Sequence, residues 1–248
     1  MSNARENKER ERRIVELFKT AYTNFPDGEI IADYKQERPD AIVVTPKGKI
    51  GIEITSLYDD ELKRKESECE KAVLAARKIY ESHNLPALQV SVHIWGENSF
   101  NRANRKKFAT AIAGLVKANI PAPGKYVAVE NDFNDQVRFP YEIDSICIFQ
   151  YAWRDSNLWT VPSAGYYRED FVEELQRVIA AKDSKLAGYV PSCAEQWLLV
   201  VAENGSPSTF FAPSAETLSH TYRTKFNRIF LMELFKLKVE ELKIERIG

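Results

Sequence analysis

Two acids occupy positions where acids are costly. Asp40 opens a short apolar segment, Asp-Ala-Ile-Val-Val-Thr. Glu53 lies inside a second one, Lys49–Thr55, between Ile52 and Ile54. A carboxylate set in an isoleucine-rich strand has to be exposed at an edge, paired or liganded, because burying it uncompensated is expensive. Pro46-Lys47-Gly48 reads as a turn, so the two segments form a hairpin. One hairpin thus brings the two acids toward each other. Paired carboxylates can share a hard divalent cation, and Mg²⁺ keeps several waters, so two protein carboxylates suffice.

Strand parity sorts the side chains. Ile50, Ile52 and Ile54 share one face of the second segment, and Lys49, Gly51, Glu53 and Thr55 share the other. The core is expected under the isoleucines, with Glu53 and Thr55 looking together to the opposite side. Gly51 is expected to leave room there for close approach to the backbone. Thr55 lies about 7 Å along the strand from Glu53, and Lys49 about 13 Å the other way.

Pro39-Asp40, a strand, a turn and then Glu53-Ile54-Thr55 resembles the PD-(D/E)XK nuclease superfamily, also called restriction-endonuclease-like. The resemblance implies that Asp40 and Glu53 bind Mg²⁺ or Mn²⁺; the Ile54 backbone carbonyl offers a third hard oxygen beside them. It also implies hydrolysis of phosphodiester bonds, with nucleic acid, DNA in the first place, as the partner. Such chemistry needs charge stabilisation on the phosphate and a deprotonated water. In the superfamily a lysine two residues after the Glu helps activate that water. Here Thr55 stands in its place, an E-x-T variant. Thr55 can orient a water but supplies no positive charge.

A lysine from another element is therefore expected to approach. Lys182 and Lys185 lie one helical turn apart, and Lys71 lies on the helix after the motif. The catalytic set is read as Asp40, Glu53, Thr55 and Lys182, with Lys71 and Lys185 left open. Glu11 shares a helix stripe with Val15 and Phe18 and is read either as an outer ligand or as a plain exposed acid. Arg102, Arg105, Lys106 and Lys107 open a helix and either grip phosphates or form a charged surface. Trp95, Trp153, Trp159 and Trp197 read as core or edge residues, with a stacking platform for single strands as the alternative.

The elements that must position these residues follow from hydrophobic periodicity. Helices are expected over 3–24, 59–83, 102–119 and 169–188. Strands are expected over 29–34, 40–45, 49–55, 88–95 and 196–202, with a 146–152/158–161 hairpin. An acidic irregular insert is expected to run to about residue 144, and a loop over 203–223. The segment 229–235 reads equally as helix or strand, and 239–247 completes the chain. The fold class is α/β, a mixed central sheet flanked by helices. The resemblance adds a restriction-endonuclease-like core, αβββαβ, over about 8–95, with an elaborated half over about 96–248. Residues 1–248 read as a single domain.

Composition narrows the function classes. The 248 residues are 44% hydrophobic with a formal net charge of −1, so any nucleic-acid contact must come from a local patch. Cys69, Cys147 and Cys193 are odd in number and lack zinc spacing, which fits a reducing cytoplasm. No apolar run is long enough to span a bilayer, so no membrane partner is expected. A homodimer is left open. The alternative to an enzyme is a catalytically inert nuclease-fold protein acting as a binding or assembly module. A third reading is an unrelated α/β domain in which Glu53 pairs with a nearby Lys or Arg.

Overall fold

A computed structural model describes residues 2–32, 39–95, 101–131, 139–162, 165–188 and 193–247. In chain order the elements begin with α1 (Ser2–Ala21), β1 (Glu29–Ile31), β2 (Ala41–Thr45), β3 (Gly48–Ser56) and α2 (Asp60–Glu81). Then come β4 (Gln89–Ile94), α3 (Arg105–Ala118), β5 (Tyr126–Glu130), β6 (Ile143–Phe149), β7 (Leu158–Thr160) and α4 (Val172–Asp183). The chain ends with β8 (Glu195–Ala202), α5 (Ala215–Ser219), β9 (Thr221–Thr224), β10 (Arg228–Glu233), β11 (Lys238–Glu241) and β12 (Lys243–Arg246). Asp33 and Tyr34, the end of the expected first strand, lie outside the described residues, as does Arg38.

By residue contacts the chain divides into two compact units, one formed by 1–59 with 165–248 and the other by 60–164. The first is built on a mixed six-stranded sheet ordered β1-β2-β3-β8-β10-β11. The β1–β2, β2–β3 and β10–β11 pairs are antiparallel, whereas β3–β8 and β8–β10 are parallel. Parallel strands are buried on both faces and read as continuous apolar runs. That is the composition of β8 and β10, and it explains why the ambiguous segment at 229 is a strand. One face packs Ile52, Ile54, Leu199 and Phe230 against Ile14, Val15 and Phe18 of α1. The other packs Leu198, Val200 and Leu231 against Leu175 and Ile179 of α4, with Tyr222 and Phe226 completing the layer.

The second unit carries α2 and α3 against a four-stranded sheet ordered β5-β6-β4-β7. Here two expectations are corrected. Strand β4 is expected in the same core as the 40–55 hairpin, yet it lies in this separate sheet. The strand that joins β3 in parallel is β8, from the far end of the chain, with Glu53 beside Leu198. The expected hairpin of β6 with β7 is also absent, because both pair with β4, which lies between them. The reason is common to both. Strand choice depends on which apolar faces meet across the chain, and nothing local encodes that. Strand β5, by contrast, lies within the stretch read as irregular, although its Tyr-Val-Ala-Val-Glu alternation is a strand signal. The expected loop at 203–223 holds α5 and the start of β9.

Candidate metal and phosphate site

Strand β3 places the site because its two faces have different chemistry. Ile52 and Ile54 are buried in the layer under α1, and Glu53 points to the α4 side. The β2–β3 ladder runs from Thr45↔Gly48 to Ala41↔Ile52, with Gly48 at φ 131° closing the turn. Asp40 is the next residue outward, level with Glu53. The backbone ladder has ended there, and the Asp40 carboxylate continues it by accepting the Ile54 N–H at 2.7 Å. The expected hairpin therefore does set the two acids at one place.

Their environments differ. Burial pushes the Asp40 carboxyl up to about 6, and the negative charge of Glu53 adds to the rise. The Ile54 N–H opposes it, Glu11 raises it further, and Lys182 lowers it. Glu53 is only 4% exposed. Its Oε1 accepts from Lys182 Nζ at 2.6 Å, and the same ammonium donates to the Ile54 carbonyl at 3.0 Å. Its Oε2 is buried with no hydrogen-bond partner among the described residues.

Lys182 comes from the last turn of α4, on the stripe of Leu175 and Ile179. A cation is favourable at that end of a helix. Its position is fixed by its neighbour. Asp183 is buried and accepts from the Thr224 hydroxyl and the Lys225 N–H, both at 2.9 Å. Of the three candidate lysines, Lys182 is the one brought to Glu53. The Lys185 side chain is exposed, and Lys71 pairs with Glu68 at 3.0 Å. Thr55 follows on the same face of β3, half-buried.

Sequence reasoning missed Lys8. Its ammonium lies 2.7 Å from Glu11 Oε2 and 3.9 Å from Asp40 Oδ1, and it donates to the Asp40 carbonyl at 3.3 Å. The signal was present, because Lys8, Glu11, Val15 and Phe18 share one helical stripe and only the last two are apolar. Gln196 was missed as well. A Cβ added at Gly51 would meet Gln196 Oε1 at 2.3 Å and Pro39 Cγ at 2.9 Å, so the space expected over Gly51 is filled. Arg105, grouped with the helix-opening basic residues, is engaged with Glu68 at 2.5 Å.

A buried, unpartnered Glu53 oxygen and a neighbouring carboxylate are hard donors of the kind Mg²⁺ takes. The Ile54 carbonyl, expected as a third ligand, is held by Lys182 instead. No group of three or more His, Cys, Asp or Glu side chains placed to hold a metal occurs among the described residues. Among them, too, no helix is long and apolar enough to cross a membrane. No protein-family model, no curated protein and no solved structure matches the chain.

Proposed function

We propose that the chain is a divalent-metal-dependent phosphodiesterase acting on DNA, built on a restriction-endonuclease-like core. The observation that carries the reading is the meeting of Asp40, Glu53 and Lys182 at the end of one hairpin. Set apart from residues 60–164, the first unit runs helix, three strands, helix, strand, through α1, β1–β3, α4 and β8. That is the αβββαβ order of the superfamily, with its second helix supplying the lysine that Thr55 does not.

Asp40 and Glu53 would hold Mg²⁺ or Mn²⁺, which when bound supplies charge stabilisation at the phosphate and a more acidic water. Lys182 contributes a fixed positive charge beside the acids, suited to a phosphate oxygen or to an attacking hydroxide. Lys8 adds a second cation on the Asp40 side. Thr55 offers a hydroxyl to orient a water.

A second reading is favoured by one contact. The Lys182 ammonium bridges Glu53 Oε1 and the Ile54 carbonyl as a bound cation would, which satisfies both without metal. In that case the site is a structural ion pair in an inert binding module. Two measurements separate the readings. The nuclease reading expects calorimetric Mn²⁺ binding that Glu53→Gln abolishes, and DNA cleavage in Mg²⁺ or Mn²⁺ that EDTA stops. Neither binding nor cleavage would leave the ion-pair reading in front.

A further inference from the structure

The sheet of the second unit buries one face under α2 and α3 and leaves the other open. Residues on that open face are partly or largely exposed: Tyr126 and Ala128 on β5, Cys147 and Phe149 on β6, and Ser91 on β4. The apolar members are concentrated at one end. Tyr126 stacks on Phe149 at a centroid distance of 5.4 Å, Phe149 on Tyr151 at 5.9 Å with planes 6° apart, and Tyr151 meets Trp153 at 5.4 Å. The two ends of this row are the most exposed, with Tyr126 at 66% and Trp153 at 75%.

A row of aromatic rings at the surface is unusual for residues with no core to fill, because it leaves large apolar area in water. The register explains how it forms. Tyr126 is paired with Phe149 across the β5–β6 ladder, and Tyr151 and Trp153 follow in the turn beyond the end of β6. Cations flank the row. The Arg154 guanidinium lies 5.5 Å from the Trp153 ring centre, and Lys125 is exposed next to Tyr126.

We propose that this row is a stacking platform for single-stranded nucleic acid, with bases laid on the outer rings, Tyr126 and Trp153, and phosphates met by Lys125 and Arg154. Flat apolar rings bind bases regardless of sequence because every base has a π-face. Cations at both ends of the row suit a charged strand better than a neutral ligand. The choice of a nucleic acid rests on the phosphodiesterase reading above. The platform itself stands apart from the Asp40–Glu53 site.

The test is fluorescence anisotropy of the full chain with a labelled 12-nucleotide single strand, in EDTA so that no metal-dependent cleavage intervenes. Tyr126→Ala and Trp153→Ala should each weaken binding about tenfold, as loss of one stacked base does. Trp153→Phe should restore most of it, which a merely structural role would not require. Lys125→Ala and Arg154→Ala should each lower the salt dependence by about one phosphate contact. Quenching of Trp153 fluorescence by the strand should vanish in Trp153→Phe. Absence of single-strand binding by the wild-type chain overturns the proposal, as does unchanged affinity in both alanine variants. Concentration-dependent dimerisation that Trp153→Ala abolishes, with no strand binding, also overturns it and assigns the row to a second copy. Loss of cleavage in metal, with strand binding intact in EDTA, would remove the phosphodiesterase reading alone.

Discussion

The Lys182 ammonium lies 2.6 Å from Glu53 Oε1, although 129 residues separate the two in sequence. Glu53 is almost fully buried and Lys182 largely so. Removing one member of such a pair leaves an uncompensated buried charge, whereas removing both does not. Lys182→Met should therefore destabilise the chain by about 3–5 kcal/mol in urea. Glu53→Gln with Lys182→Met should recover much of that loss. A double-mutant cycle with additive effects would show that the contact carries no coupling.

Asp40 gives a pH signature with a defined sign. Its folded value is about 6 against an ordinary 3.8, so the unfolded chain releases this proton first. Its contribution to stability is then largest below the ordinary value, falls as pH rises through the window, and is fully lost above about 6. The size is on the order of 3 kcal/mol. Asp40→Asn keeps an acceptor for the Ile54 N–H and removes the titration. Urea melts from pH 4 to 7 should show the variant gaining on wild type as pH rises. On the phosphodiesterase reading, calorimetric Mn²⁺ affinity of the wild type should strengthen over the same range, because a proton on Asp40 would compete with the metal.

Gly51 is packed, not open. Gly51→Ala would drive a methyl against the Gln196 amide and the Pro39 ring, at a cost of about 1–3 kcal/mol. The amide can move and the ring cannot. Gln196→Ala combined with Gly51→Ala should therefore regain part of the loss, read as a shift in thermal midpoint. An undiminished midpoint in the single variant would show that the neighbours yield freely.

Thr55→Lys tests where the positive charge belongs. With Lys182 at Glu53, a second ammonium on the same face of β3 meets a like charge and should lower metal-dependent cleavage. In a Lys182→Ala background the same change should raise cleavage above that of Lys182→Ala alone. Cleavage equal in the two backgrounds would separate Lys182 from the reaction.

The hairpin and its two faces were legible because they follow from local rules. A Pro-Lys-Gly turn fixes the pairing, and a period of two puts Glu53 opposite its isoleucines wherever the strand packs. The stripe of α4 was legible too, which is why Lys182 could be singled out with Lys185. The Tyr126–Glu130 alternation was equally local and was overlooked for the acidic residues around it. What only tertiary structure decided were the partners. Strand β8 docks beside β3 after an intervening unit of its own core, and β4 is claimed by β6 and β7. Lys182 rather than Lys185 turns to Glu53 because buried Asp183, anchored by Thr224 and Lys225, sets the rotation of the last turn of α4. Such choices depend on apolar faces and buried hydrogen bonds that meet across more than a hundred residues, and no periodicity within a segment carries that information.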